Sequence, residues 1–212
     1  MENLIEKTIE YVKDFFKKDY SGHDFYHTLR VYNLAKSIAK SEECNMELVC
    51  LSALLHDVDD YKLVGEEKEL FNNLKAFLKS QNYSNEGIEQ ICNIVSEVSF
   101  KGKNTIPNTI EGKIVQDADR IDAIGAIGIA RTFTYGGSIK RPMYIPNINP
   151  KENMSSKEYY ENVGTTINHF YEKLLKLKDF MNTETAKNIA NQRHKYMEEF
   201  LKEFYDEWEG KM

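Results

Sequence analysis

The sequence predicts an all-α protein, and three observations carry that prediction. Apolar residues recur at three- and four-residue spacing through most of the chain, which is the period of an amphipathic helix. Nowhere do apolar and polar side chains alternate between turn residues, as they would in a half-buried strand. Hydrophobic residues occupy 41% of the 212 positions, which is enough to bury a sizeable core. No internal repeat or interdomain linker is evident, so we expect one helical bundle domain over residues 1–212.

Five helices are predicted in the first half of the chain. They cover residues 4–16, residues 24–38, Met46 to Asp57, Glu67 to Lys79, and Ser84 to Val98. Ser21-Gly22 interrupts the helical pattern between the first two. Asp24 and Ser84 are of the residue types that cap helix N-termini, and we expect them to do so. His27 falls on or beside the buried face of the second helix.

The sixth predicted helix, from Thr109 to about Arg131, carries an unusual set of acidic residues. Asp117, Asp119 and Asp122 lie within an otherwise apolar pattern. Buried carboxylates are costly unless a cation, a metal or hydrogen bonds compensate them. We therefore expect these aspartates to have partners inside the protein.

The chain is expected to close with a long loop and two long helices. Over about residues 134–153 the composition changes to Gly, Pro, Asn and Tyr, which predicts a loop. Loops of this length are often functional, and we expect a lid over a bound nucleotide. Gly136-Gly137 would be its hinge, and Lys140 or Arg141 would approach the distal phosphates. The alternative is an ordered loop pinned by its three prolines. The helices follow at Ser155 to Met181 and Thr183 to Trp208.

Charge, cysteine usage and hydropathy exclude several classes of protein. The 28 Lys and Arg against 34 Asp and Glu give a net charge of −6, and no basic stripe could follow a nucleic-acid backbone. No uncharged run approaches the roughly 18 residues of a membrane span, and the acidic residues near the start exclude a signal or transit peptide. Three cysteines without metal-type spacing point to reduced thiols. We expect a cytoplasmic protein with no membrane and no extended nucleic acid as partner.

The third predicted helix ends in a histidine and three carboxylates. The segment Ser52 to Asp60 reads Ser-Ala-Leu-Leu-His-Asp-Val-Asp-Asp, so an apolar stripe leads directly into His56 and Asp57. Carboxylates beside a buried stripe need a paired cation or a metal. Adjacent helical side chains diverge by about 100°, so the pair can share one ion only where the helix loosens or where the ion lies between helices. Further ligands must come from elsewhere in the chain.

Metal-ligand residue types occur at semi-buried positions on three separate predicted helices. They are His27, the pair His56-Asp57, and Asp119. Two imidazoles and two carboxylates suit Mn, Fe, Co, Ni, Zn or Mg, with positions left for water and a substrate oxygen. The sequence does not distinguish among these metals.

These residues resemble the signature of the HD-domain metal-dependent phosphohydrolases. The resemblance extends to Gly22-His23-Asp24-x-x-His27-x-x-Arg30-Val31 and to the run from Gln116 to Gly125. Both runs are similar to those of a compact stand-alone prokaryotic subgroup. Roughly residues 20 to 200 are covered. One departure is Asp59, which stands where glycine is frequent in the subgroup and which adds negative charge near the site.

The resemblance implies an all-helical bundle with one metal site between helices, and a hydrolase of phosphate esters or anhydrides, usually of nucleotides. The implied metal ligands are His27, His56, Asp57 and Asp119. Asp119 is chosen because its Ala-Asp-Arg context resembles the last ligand of other branches, while Asp117 and Asp122 stay open as alternatives. His23 is a further ligand candidate or a hydrogen-bond partner of a ligand. Branches that bind two metals carry extra histidines, and residues 58–118 contain none. We therefore expect one divalent ion, with manganese slightly favoured.

Catalytic and substrate-binding roles are assigned to residues near the expected ligands. Asp60 is the candidate general acid/base or water-positioning group. Fixed cations neutralise transferring phosphoryl oxygens, and the candidates are Lys62, Lys103, Arg120 and Arg131. The structural alternatives are ordinary ion pairs for the cations and a bond to a neighbouring loop for Asp60.

Three functions from different classes stay open. The leading one is a phosphohydrolase of a nucleotide or related small phosphate, with nucleoside triphosphate pyrophosphohydrolysis as one form. The second is a metal-dependent oxygenase on the same scaffold, which would need redox-active iron and more histidine ligands. The third is a non-catalytic binding module that keeps the metal to hold its helices together. A homodimer also stays open.

Overall fold

The structure is a computed structural model that describes residues 2–17, 24–59, 71–98, 105–151 and 164–211. Within those ranges the chain forms helices and no strand, which confirms the all-α prediction. None of the described helices is both long and apolar enough to cross a lipid bilayer. The chain divides into two compact units, residues up to 100 with 105–119, and residues from 120 with 101–104. The expectation of a single domain stays a prediction.

The described residues of the first unit form five complete helices and most of a sixth. They are α1 Glu2–Phe15, α2 Phe25–Ala39, α3 Met46–Leu55, α4 Asn72–Ser80, α5 Asn85–Val98 and α6 Ile110–Asp122, whose last turn is counted with the second unit. The predicted caps are present, because Asp24 accepts the His27 backbone N–H and Ser84 accepts the Gly87 N–H. The break at Ser21-Gly22 lies outside the described residues. Of the helix expected from Glu67, the described part begins at Asn72.

The third helix is the centre of the first unit. Every residue from Leu48 to Leu55 is buried, because α1, α2 and α5 all pack against α3. A helix that is apolar all round belongs in a core rather than at a surface. The chain therefore leaves α3 at His56 from deep inside the unit, and the polar residues that follow start from a buried position.

In the part of the second unit that the structure describes, there are three α-helices and a 3-10 helix. They are α7 Gly125–Ser138, α8 Thr166–Glu172, the 3-10 helix Leu174–Phe180 and α9 Glu184–Trp208. Of the helix predicted from Ser155 to Met181, the described part is α-helical from Thr166 to Glu172. The prediction of one continuous helix is wrong, because the α-helix ends before Lys173 and a 3-10 helix follows. The second unit has aromatic side chains in its core, where Phe170 stacks on Phe200 with ring centroids 5.8 Å apart.

The single helix expected from Thr109 to Arg131 is two helices. Ile124 is extended and Gly125 takes a positive φ of 75°, a conformation that glycine adopts without strain. A Cβ on Gly125 would lie 2.9 Å from Cγ of Arg193, so the close approach also requires glycine. The apolar period continues across this break, and for that reason the sequence pattern did not show it.

The expected loop of residues 134–153 is shorter at its start, because α7 continues to Ser138. Gly136-Gly137 is therefore helical, and placing a hinge there was wrong. A Cβ on Gly136 would lie 2.4 Å from Oγ1 of Thr166, so this glycine serves close helix packing.

The described part of the loop is held against α8 and α9 of the same unit. The N–H of Thr166 donates to the Pro142 carbonyl, and the side-chain amide of Asn168 donates to the Ile148 carbonyl. Tyr144 packs edge-on against Trp208, with ring centroids 5.0 Å apart. These contacts favour the ordered surface loop over the lid.

Candidate metal centre

His27 reaches the site from the first turn of α2. The Asp24 carboxylate accepts the His27 backbone N–H at 2.7 Å and fixes the start of the helix. The His27 side chain is only 1% exposed. A buried imidazole is thus held at the helix end by a cap on its own backbone.

His56 and Asp57 lie just beyond the end of α3, not inside it. The helix ends at Leu55 rather than at Asp57 as predicted, and the Val58 N–H donates to the Leu55 carbonyl to close a turn. Because the pair is on a turn, its side chains can face one point despite being neighbours in sequence. Nε2 of His56 lies 3.3 Å from Oδ2 of Asp57, and the same Oδ2 lies 3.4 Å from Nε2 of His27.

Asp119 completes the cluster from α6. Its Oδ1 lies 3.5 Å from Nε2 of His27 and 3.9 Å from Nε2 of His56. Among the described residues, His27, His56 and Asp119 form a group whose ligand atoms all lie within 4.8 Å of one another. The Asp119 side chain is 28% exposed, so the otherwise buried cluster opens to solvent on this side.

The hydrogen bonding of His56 directs one ring nitrogen into the cluster. Its Nδ1–H donates to the Ala53 carbonyl at 2.9 Å, so in the neutral ring the lone pair is on Nε2, which faces the carboxylates. A backbone bond of this kind fixes the orientation of a metal-ligating imidazole.

The electrostatics of the cluster favour a cation. Burial lowers the pKa of His56, but the negative charges of Asp57 and Asp119 and bonds to Asp57 and Ala53 outweigh it and raise that pKa to about 9. The two carboxylates thus favour a positive charge at this position, which a proton or a divalent ion can supply. Two imidazoles and two carboxylates form the mixed N/O donor set that divalent first-row metals and Mg²⁺ accept, so these residues fit one such ion.

The two alternative aspartates of α6 are not part of this group. Asp117 is fully buried, and residues two apart on a helix point about 200° apart, away from each other. Asp122 is 1% exposed and pairs with the guanidinium of Arg131. Of the three carboxylates, only Asp119 belongs to the ligand-type group in the described part of the chain.

Several candidate residues have other partners or lie outside the described ranges. The guanidinium of Arg120 donates to the Phe180 carbonyl, and that of Arg131 donates to Asp122. These bonds give both arginines a structural role, and phosphate binding by them stays a prediction. His23, Asp60, Lys62 and Lys103 lie outside the described residues.

Two long-range contacts, one in each unit, were not predicted from the sequence. The Asp59 carboxylate binds the N-terminus of α4, and Arg193 donates to the Ile121 carbonyl at 2.7 Å. Asp59 was visible as a departure from the family pattern, although its partner was not. Nothing local marks Arg193, because it lies far along the chain from Ile121.

Comparison with known proteins identifies the family. A profile of the HD domain matches residues 24–124. A solved HD-superfamily hydrolase from Bacillus thuringiensis is 43% identical, with a TM-score of 0.79 over 99% of each chain. A solved protein from Lactobacillus plantarum is 40% identical, with a TM-score of 0.85 over 98% of each chain.

A third relative, YpgQ of Bacillus subtilis, is 34% identical over 205 residues, which are 93% of this chain and 90% of YpgQ. Its crystal structure in complex with ADP gives a TM-score of 0.73 at 30% identity, over 97% of this chain and 98% of that one. The HD profile spans His27, the His56-Asp57 pair and Asp119, and the relatives align almost end to end. The chain therefore belongs to the HD-domain superfamily.

Proposed function

We propose that the protein is a metal-dependent phosphohydrolase that acts on a nucleotide. The observation that carries this proposal is the convergence of His27, His56 and Asp119 within 4.8 Å, with Asp57 within 3.4 Å of both imidazoles. A buried cluster of ligand-type side chains with one solvent-facing side provides both a place for an ion and access for a substrate.

The chain's own residues would hold the ion and leave one side open. His27 and His56 would supply ring nitrogens, and Asp57 and Asp119 carboxylate oxygens. A divalent ion bound there acidifies water and stabilises negative charge on a phosphoryl oxygen. The exposed edge of Asp119 is where we expect the phosphate to approach.

Further residues are assigned on the same proposal. Asp60 would accept the proton as water attacks phosphorus in line, and Lys62 and Lys103 would neutralise the phosphate oxygens. All three remain candidates from the sequence, since they lie outside the described residues.

Nucleotides are the favoured substrate class for two reasons. The members of the resembled family usually act on nucleotides, and the relative YpgQ was crystallised with ADP. A nucleoside triphosphate pyrophosphohydrolase is the specific form we propose. In that reaction the water oxygen bonds to the α-phosphorus, the bridging oxygen leaves on the β-phosphorus, and the products are nucleoside monophosphate and pyrophosphate.

A substrate panel tests the proposal. Nucleoside mono-, di- and triphosphates, cyclic nucleotides and bis(p-nitrophenyl) phosphate are each incubated with Mn²⁺, Mg²⁺, Co²⁺ or Ni²⁺, and orthophosphate and pyrophosphate are measured separately. We expect turnover of triphosphates with release of pyrophosphate. Asp57→Ala should abolish it. Asp14→Ala, which removes an exposed carboxylate of the first unit, is the matched control and should be unaffected.

The other outcomes separate the remaining functions. Metal binding without turnover of any phosphate would favour the non-catalytic module. Oxygen consumption that depends on bound iron would favour the oxygenase. Asp60→Ala should keep its metal and lose mainly turnover, and loss of metal in this variant would show that its role is wrongly assigned.

A further inference from the structure

The N-cap residue of α4 provides no side-chain cap. Phe71 occupies the N-cap position with a positive φ of 64° and offers no side-chain acceptor. The first backbone N–H groups of a helix have no partner within the helix, and a capping side chain normally satisfies one of them. Another part of the chain must supply the acceptor here.

Asp59 supplies it with both carboxylate oxygens. Oδ1 accepts the backbone N–H of Asn73 at 3.1 Å and the Asn73 side-chain amide at 2.9 Å. Oδ2 accepts the N–H of Leu74 at 2.9 Å. A carboxylate at a helix N-terminus also interacts favourably with the helix dipole. Asp59 is thus anchored by three hydrogen bonds to α4.

The anchored residue belongs to the turn that carries two of the metal-ligand side chains. His27 and Asp119 are on helices, whose backbone bonds fix their positions. His56 and Asp57 come after the last residue of α3, so no continuing helix fixes them. The turn that holds them is fastened at one end by the bond from the Val58 N–H to the Leu55 carbonyl, and at the other by Asp59.

We propose that Asp59 is a positioning residue for the metal centre. By binding the N-terminus of α4 it holds the turn in the conformation that points His56 and Asp57 at His27. Because both of its oxygens are engaged by α4, Asp59 acts through its neighbours and does not ligate the ion. This inference rests on the proposed metal-dependent function, and it explains why an aspartate can replace the glycine that is frequent at this position of the family pattern.

Metal affinity measured by calorimetry tests the role. Mn²⁺ is titrated into the wild-type protein and into Asp59→Ala, Asp59→Asn and Ser84→Ala. We expect Asp59→Ala to lose affinity by about tenfold, as outer hydrogen-bond partners of metal ligands typically do. Asp59→Asn keeps one acceptor oxygen and should lose less.

The control is Ser84→Ala, which removes the N-cap of α5 in the same unit. It lowers stability through a lost cap but should change Mn²⁺ affinity less than twofold. Activity gives a second readout: saturating Mn²⁺ should restore turnover to Asp59→Ala but not to Asp57→Ala. Because bound Mn²⁺ also stabilises a folded protein, Ser84→Ala is the comparison for a general loss of stability, and it should need no more Mn²⁺ than the wild type for full turnover.

Equal Mn²⁺ affinities in Asp59→Ala and the wild type would overturn the inference and leave the proposed function intact. A wild-type protein that binds no divalent ion would instead overturn the proposed function and, with it, the role given to Asp59. If Asp59→Ala does not fold, Asn73→Ala removes only the side-chain bond to Oδ1 and should lower the affinity less. An unchanged affinity there would contradict the inference.

Discussion

Each compact unit contains a histidine whose pKa is strongly shifted, and the two shifts have opposite directions. In the first unit, the carboxylates of Asp57 and Asp119 overcome the effect of burial and raise the pKa of His56 to about 9. In the second, burial together with the positive charges of Lys173 and Arg141 lowers the pKa of His169 to about 3. The surroundings of His56 favour a positive charge, whereas those of His169 favour the neutral ring.

The carboxylates of α6 show the same contrast. The Asp122 carboxylate forms an ion pair with the guanidinium of Arg131. Asp119 faces two imidazoles and solvent. A carboxylate paired with an arginine already has its counter-charge, whereas a cluster of carboxylates and imidazoles needs a proton or a metal to supply it. The difference separates a structural ion pair from a cluster whose ligand-type side chains could hold an ion.

The largest expected effect is loss of the candidate metal centre. Asp119→Ala removes a carboxylate ligand, and we expect loss of bound metal and a fall in turnover on the order of 10³, since metal catalysis supplies several kcal/mol. Metal content and kcat of the purified variant check this. Asp119→Ala with wild-type metal content would show that the cluster does not hold the ion.

The ion pair of the second unit should matter for stability instead. Arg131→Met leaves the buried Asp122 carboxylate without this cation and should lower the free energy of unfolding by about 3 kcal/mol. The double variant Arg131→Met/Asp122→Leu should recover most of the loss, because both charges are then gone. Urea denaturation measures the stability of each variant. If Arg131→Met were to lose its metal while keeping its stability, the pair would belong to the site.

Two adjacent glycines of α7 provide a matched pair for a smaller effect. Gly136→Ala should cost about 1–3 kcal/mol, because its Cβ would meet Oγ1 of Thr166. A Cβ on Gly137 would have no neighbouring atom within 4 Å, so Gly137→Ala should stabilise the helix by about 0.5–1 kcal/mol. Thermal denaturation of both variants checks the signs. Equal effects of the two substitutions would contradict the close packing of Gly136 against Thr166.

The smallest expected effect concerns the pH dependence of stability. The pKa of His169 is about 3 in the folded protein and about 6.5 when unfolded. Its contribution to stability is therefore complete above pH 6.5 and is lost as the pH falls towards 3. The free energy of unfolding can change by at most about 1.4 kcal/mol per pH unit through one such group. We expect a smaller change, because the His169 ring is only half-buried.

His169→Gln should flatten the stability curve between pH 6.5 and pH 3 relative to the wild type. Unfolding by urea at several pH values gives the comparison, with the exposed-site variant Asp14→Ala as control. Parallel curves for the wild type and His169→Gln would mean that His169 is not held neutral in the folded protein.

Features that depend on residues close together in the sequence could be predicted, and features that depend on distant residues could not. Helices were predictable because apolar periodicity and caps such as Asp24 and Ser84 are local. The break at Ile124 was not, because the apolar period continues through it and only the contact of Gly125 with Arg193 reveals the constraint. The binding of α4 by Asp59 was hidden for the same reason, since a cap is normally sought next to the helix it serves.

The candidate site shows the same limit. Residue types and the family resemblance selected His27, the His56-Asp57 pair and Asp119, and the structure brings these side chains together. The sequence alone could not choose among the three aspartates of α6, because all three lie in one apolar pattern. The choice depends on the face of the helix and on Arg131, which pairs with Asp122.

Metal stoichiometry is the sharpest test of whether the first unit holds one divalent ion. Protein purified with Mn²⁺ is dialysed, and bound metal is measured by elemental analysis for the wild type, His56→Ala and the exposed-site control Asp14→Ala. We expect about one ion per chain for the wild type and the control and none for His56→Ala. Two ions per site, both lost together in His56→Ala, or an ion retained by that variant, would contradict it.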